Sequence, residues 1–99
     1  MSDQAVGPIA IWGAGITGKQ ILNEMSQEEL ANVMCIVDNS SSKWGKCTET
    51  GIPIVSPDDI IDFSGQVIVG CAGGLALARQ LSELRCRDVS YAYNWSLSW

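Results

Sequence analysis

The short apolar run Pro8-Ile-Ala-Ile-Trp12 is cut off by Gly13-Ala14-Gly15-Ile16-Thr17-Gly18, and this junction limits what the chain can fold into more than any other stretch of it. A brief continuous apolar run stopped by glycine suits a strand buried on both faces of a parallel sheet. Beyond the glycines, Ile21, Leu22 and Met25 recur at helical spacing among Lys19, Gln20, Asn23 and Glu24. Strand, tight turn and helix, in that order, form the context in which Gly-x-Gly-x-x-Gly becomes a usable signal. Gly13 permits the turn, Gly15 lets backbone approach a phosphate, and Gly18 lets helix and strand pack closely. The N–H groups at the helix start, aided by the helix dipole, then attract an anion. The bland alternative is that three glycines serve only a compact strand-to-helix turn.

The rest of the chain repeats this alternation. Ser26 and Glu29 have capping-box spacing and restart a helix toward Leu30. Val33-Met-Cys-Ile-Val37 reads as a second strand, ending in Asp38, and the polar Asn39-Ser-Ser-Ser-Lys43 stretch after it reads as loop. Gly51-Ile-Pro-Ile-Val55 reads as a short edge strand, since proline is tolerated only where its missing N–H faces no neighbour. Ser56-Pro-Asp-Asp59 supplies an N-cap, a proline at the first helical position and carboxylates in the first turn, predicting a short helix through Ile60, Ile61 and Phe63. Gln66 to Cys71 is a further apolar strand, closed by Ala72-Gly73-Gly74. Leu77, Leu81 and Leu84 give the next helix one apolar stripe, and Val89, Tyr91 and Tyr93 alternate as a strand at the sheet margin. The expected architecture is α/β and Rossmann-like, with a mostly parallel five-stranded sheet in the order 3-2-1-4-5 and helices on both faces, folded as one domain over residues 1–99.

Composition narrows the functions such a domain can carry. The 99 residues include 11 acidic and 6 basic side chains and no histidine, for a net charge of −5. That field repels nucleic-acid backbones and anionic lipid surfaces, so neither nucleic acid nor membrane is expected as a partner. Without histidine, the commonest general base and metal ligand is missing, and neither catalytic residues nor a metal site are picked out. Cys35, Cys47, Cys71 and Cys86 form no C-x-x-C pair and read as reduced core thiols. No secretory leader and no apolar stretch of membrane-spanning length is seen, which points to the cytoplasm.

Asp38 stands about 20 residues after Gly18, where an acidic side chain at the end of the second strand can accept hydrogen bonds from both ribose hydroxyls and disfavour a 2′-phosphate. Asp-Asn pairs also cap turns, and the residues alone leave the two roles balanced. Gly70, Gly73 and Gly74 border the crevice where strand order reverses, leaving room for a ribose or simply making a tight turn. Lys19, Lys43 and Lys46 read as solvated. Trp44 in a polar loop either lids a pocket or docks on a partner. Tyr91, Tyr93, Trp95 and Trp99 make the C-terminal stretch strongly aromatic, suited to packing on the sheet or to self-association into a dimer.

Taken together, Ile11-Trp-Gly-Ala-Gly-Ile-Thr-Gly-Lys19, Val37-Asp-Asn39, Lys43-Trp-Gly-Lys46, Gly51-Ile-Pro-Ile-Val-Ser-Pro-Asp-Asp59 and Val67-Ile-Val69 resemble the Rossmann-like nucleotide-binding module of sugar-nucleotide enzymes. Similar modules accompany bacterial sugar acetyltransferases, capsular polysaccharide dehydratase-epimerases and some sugar methyltransferases. The resemblance implies a bound UDP-sugar or NAD-like nucleotide, with catalysis depending on another domain. Carried over, Gly13, Ala14, Gly15, Ile16, Thr17 and Gly18 are the phosphate turn, with Asp38, Asn39 and Gly73 completing the nucleotide site. The relatives often continue Asp-Asn-Asp-Pro or Asp-Asp-Asp-Pro after the second strand, whereas this chain has Asp38-Asn39-Ser40-Ser41. The expectation is a nucleotide-binding module acting with a partner domain or as a homo-oligomer, and not a complete enzyme. Two rival readings are half of an NAD-dependent oxidoreductase or S-adenosylmethionine-dependent transferase, and an interaction domain that has lost its ligand.

Overall fold

The computed structural model describes residues 7–71 and 74–91. Strands β1 (Ile9–Trp12), β2 (Val33–Val37), β3 (Ile54–Val55), β4 (Gln66–Val69) and β5 (Asp88–Tyr91) form one all-parallel sheet in the order β3-β2-β1-β4-β5. The expected α/β architecture and strand order are therefore present. Helix α1 (Ile16–Glu24) and the short α2 (Gln27–Ala31) connect β1 to β2, and α3 (Gly74–Glu83) connects β4 to β5. β1 lies between β2 and β4, so the chain runs outward in opposite directions from the sheet centre, and a crevice opens at the strands' carboxyl ends.

Alternation along the strands sorts the core into two layers. Ala10 and Trp12, Cys35 and Val37, and Val67 and Val69 face one side, where Leu77, Leu81 and Leu84 cover them. Ile9, Ile11, Ile36 and Ile68 face the other, where Ile21, Leu22 and Met25 pack. The capping box at the start of α2 forms as the spacing predicts, with Ser26 Oγ accepting from the Glu29 N–H at 3.1 Å and Glu29 Oε1 accepting from the Ser26 N–H at 2.9 Å.

Two elements differ from expectation. The predicted helix through Phe63 is only a 3-10 turn, Pro57–Ile60. Its continuation fails because Asp62 turns to φ 59 and donates its N–H to the Leu84 carbonyl at 2.8 Å, while its carboxylate takes both Nε (2.6 Å) and Nη2 (2.7 Å) of Arg85. The predicted edge strand over 51–55 shrinks to Ile54–Val55. Pro53 and Val55 offer their carbonyls to Ile36 and Asp38 of the neighbouring segment, while Ile54 turns its N–H and C=O outward to Lys46 and Gly45. Residues 45–48 thus fold back antiparallel over β3, and Pro53, which has no N–H to give, sits opposite Cys47. Tyr93, Trp95 and Trp99 lie outside the described residues, as does any role for them in self-association.

All four cysteines are unpaired thiols, but only Cys35 is buried, Cys71 and Cys86 are half-buried and Cys47 is exposed, so the core reading holds in full for Cys35 alone. Burial pushes the Cys35 thiol up from the ordinary 9.0 to about 11, with the Asp59 carboxylate adding to the rise, and burial raises Cys71 and Cys86 as well. A thiol that keeps its proton longer in the folded chain adds stability below the unfolded pKa and loses it above. Denaturation titrations are expected to show stability falling as pH climbs from 9.0 toward about 11. Cys35→Ala is expected to be less stable at neutral pH and to fall less steeply over that range, and an unchanged slope in the variant would refute the assignment.

Candidate functional site

The strand-to-helix junction is built by backbone approaching backbone. Gly13 has φ 115, outside the range of most L-residues. A Cβ on Gly18 would stand 2.1 Å from the Gly13 carbonyl oxygen, and one on Gly70 would stand 2.8 Å from Ile21 Cδ1. Gly13 and Gly18 are therefore required by the fold itself, whereas a side chain at Gly70 would displace only the flexible end of Ile21. Gly15 is different: its φ is −89, and a Cβ there would meet nothing within 4 Å. No packing or dihedral demand accounts for glycine at this position.

Gly15 is also the N-cap of α1, and it offers no side chain to the helix's first N–H groups. The Gly13 N–H is used by the Val37 carbonyl at 2.7 Å and the Ala14 N–H by Asp38 Oδ2 at 2.9 Å. Among the described residues nothing accepts from the N–H groups of Gly15, Ile16, Thr17 or Gly18. The first turn holds no acidic residue, and the carboxylate nearest the positive end of the helix is that of Asp38, on the Ala14 N–H.

Of these donors, Gly15 and Ile16 border an open crevice of about 470 Å³. Trp12, Gly13, Gly15 and Ile16 line it from the first strand and turn, Asp38 and Asn39 from the end of β2, and Gly70 and Cys71 from the end of β4. Ile16 is 77% exposed, an apolar side chain held at the mouth. The Asp38 carboxylate is half-buried and spans the crevice wall: Oδ2 accepts from Ala14, Oδ1 from the Ser40 N–H at 2.8 Å, and Lys43 Nζ stands 3.8 Å from Oδ2. Asp38 does cap the turn after β2, and it also clamps that turn to the glycine loop. A carboxylate has about four acceptor positions, so two remain for other donors. Beyond burial, the Asp38 charge also raises the Cys71 thiol, which keeps that sulfur protonated and a weak nucleophile.

Of the residues picked from sequence, Gly13, Gly15, Ile16, Asp38 and Asn39 come together on the crevice, Ala14 is tied to Asp38, Thr17 and Gly18 sit in the first turn of α1, and Gly73 lies outside the described residues. Trp44 neither lids the crevice nor stands free: its indole N–H donates to the Asp38 carbonyl at 2.7 Å and braces the serine loop. Lys43, read as merely solvated, pairs with Asp38. Sequence reasoning missed Trp12 and Cys71, whose positions at the ends of two central strands were the available signal. It also missed Gln80, which meets Asn39 from 41 residues away without any sequence signal.

A family model described as C2185-like, N-terminal, matches residues 7–83. The chain belongs to that family. Solved structures with the same fold as this C2185-like chain include RSP in complex with beta-NAD+ and operator DNA (TM-score 0.67, 20% identity, 87% of this chain and 43% of that one). RSP alone, a Rex-family repressor, aligns at TM-score 0.66 and 20% identity over 87% and 44% of the two chains, and RSP with beta-NADH at 0.65 and 20% over 87% and 45%. The C2185-like chain spans less than half the length of these proteins. A comparison with curated protein sequences finds no match. The fold side of the resemblance to nucleotide-binding modules is upheld, while nothing in these likenesses concerns sugar nucleotides.

The exclusion of nucleic acid as a partner is corrected by the same finding. A chain containing this fold was solved on operator DNA, and the charge of one domain does not decide the partners of a polypeptide more than twice its length. Among the described residues no helix is long and apolar enough to cross a membrane, and no cluster of three or more metal-ligating side chains occurs.

The contrast between the glycines is directly testable by thermal melting. Gly18→Ala is expected to lower the melting temperature by roughly ten degrees or more, an overpacking cost of ~2–3 kcal/mol in a domain of this size. Gly15→Ala is expected to stay within a few degrees of wild type, and equal losses in the two variants would show that both glycines serve the fold.

Proposed function

We propose that this domain binds nicotinamide adenine dinucleotide, with the pyrophosphate on the Gly15 to Gly18 N–H groups and the adenosine ribose on Asp38. The observation that carries this is the open space at Gly15: no protein atom would meet a Cβ there, so a ligand can come up against bare backbone at the start of the helix. The row of unclaimed N–H groups supports a phosphate as that ligand. Two free acceptor positions on Asp38 suit the two ribose hydroxyls. The fold neighbours were solved with beta-NAD+ and beta-NADH, which favours this dinucleotide over a UDP-sugar.

The reading is one of binding rather than chemistry. The titratable groups among the described lining residues are Asp38, engaged with two backbone N–H groups, and Cys71, held as thiol. The domain therefore acts within a larger polypeptide or with a partner that supplies reactivity or read-out. Sugar-nucleotide or polysaccharide metabolism is the setting implied by the resemblance of its motifs.

Thermal-shift titration against NAD+, NADH, NADP+, a UDP-sugar and S-adenosylmethionine ranks the ligands. At 100 times its dissociation constant the true ligand adds about 2.7 kcal/mol, a shift on the order of ten degrees at this size. NAD+ or NADH is expected to rank first, and a UDP-sugar or S-adenosylmethionine in that place would overturn the reading. Gly15→Val is expected to stay folded and lose the shift, because its branches fill the place of the phosphate; unchanged affinity would remove the phosphate turn. Wild type is expected to prefer NAD+ to NADP+, whose 2′-phosphate would face the Asp38 carboxylate. Asp38→Ser is expected to narrow that preference, and equal discrimination in both proteins would return Asp38 to turn capping alone.

A further inference from the structure

The two margins of the sheet are not equivalent. On the β3 margin the outward N–H and C=O of Ile54 are taken by the Lys46 carbonyl and the Gly45 N–H. The other margin is β5, and the register settles which of its residues turn outward. The N–H groups of Gln66 and Gly70 go to the Pro8 and Trp12 carbonyls, so the even-numbered residues of this strand face β1, and Val67 and Val69 face β5. Val89 is paired with Val67 as Ile54 is with Ile36, and like Ile54 it turns its own N–H and C=O away from its neighbour. Among the described residues nothing bonds to that outward pair.

We infer that β5 is a pairing edge for β5 of a second copy of this chain, antiparallel about a two-fold axis at Val89, joining two five-stranded sheets into one. The choice of occupant follows from the side chains beside Val89. With Val89 opposite Val89 of the second copy, the two residues exchange both backbone bonds. Asp88 of each copy then stands directly opposite Ser90 of the other, in the closer, non-hydrogen-bonded positions. Ser90 Oγ accepts from Gln66 Nε2 at 3.1 Å, which leaves its hydroxyl proton to donate. Asp88 is exposed, and its carboxylate has no partner among the described residues. The pairing gives each proton an acceptor and each carboxylate a donor, twice over. Sliding the copies by the smallest step that keeps outward groups opposite sets Asp88 against Asp88 in one direction, which is repulsive. In the other direction it sets Ser90 against Ser90 and moves both carboxylates off their donors. The strand itself carries no obstacle: Asp88–Tyr91 holds neither proline nor lysine, and its register with β4 runs residue for residue.

Sedimentation of the full chain over a range of concentrations tests this. Wild type is expected to dimerise. Ser90→Asp sets like charges opposite each other at two places and is expected to raise the dimer dissociation constant about tenfold, the scale of two cross-strand pairs. Adding Asp88→Ser to Ser90→Asp exchanges the two side chains across the axis and is expected to recover the wild-type constant. Both variants are expected to melt within a few degrees of wild type when diluted to monomer, since Asp88 is exposed and a carboxylate can still accept from Gln66. A wild-type chain that sediments as a monomer at every concentration overturns the inference, and would leave the β5 edge to another segment. A dimer that Ser90→Asp leaves equally tight overturns it as well, placing the association elsewhere on the surface. Weakening by Ser90→Asp that the exchange does not recover overturns the register about Val89 and with it the self-pairing. None of these outcomes depends on a nucleotide.

Discussion

The contact on which the rest of this domain depends is the one between two stretches of bare backbone, Gly18 against the carbonyl of Gly13. With 2.1 Å between that oxygen and where a Cβ would stand, α1 can lie this close to the end of β1 only because residue 18 has no side chain. The closeness sets the direction in which α1 leaves the sheet, and hence the aim of its first N–H groups over the crevice. It also brings Gly70 against α1, where Ile21 fills the space a side chain would have taken, locking the end of β4 to the same junction. Sheet centre, helix start and crevice floor are thus one packing unit.

Asp38 joins that unit to the neighbouring loop. Its carboxylate holds the Ala14 N–H on one side and the Ser40 N–H on the other, while its carbonyl takes the Trp44 indole N–H. The two roles weighed from sequence, turn cap and ligand acceptor, are compatible because one carboxylate has acceptor positions enough for both. Lys43 beside it offsets part of the charge that is drawn partly out of water. The Ser40 to Lys43 stretch, polar and without strand or helix character in the sequence, is consequently an ordered brace.

The central strands were legible because they are buried on both faces and short, so that their apolar runs stand out from the glycines that stop them. Strand order followed from the alternation of strands and helices, and the glycine turn from its placement between them. The failures share a cause: each depends on a partner far away in sequence. The helix after Pro57 stops because Asp62 is captured by Leu84 and Arg85, and β3 is short because residues 45–48 compete for it. Likewise, nothing near Asn39 announces Gln80. The exclusion of nucleic acid failed for another reason, since net charge describes a domain whereas a partner belongs to the whole polypeptide.

The fold-back of residues 45–48 over β3 also gives the sheet a direction of growth. Ile54 spends its outward N–H and C=O on Lys46 and Gly45, and Pro53 has no N–H to offer, so this margin presents no ladder on which a foreign strand could be templated. A second polypeptide arriving at that margin meets side chains such as the exposed Cys47 and the Trp44 ring, and must be recognised by surface shape. Strand addition onto β3 is thereby blocked at one end of the sheet, which keeps the loop after β2 from being drawn into a neighbour's sheet.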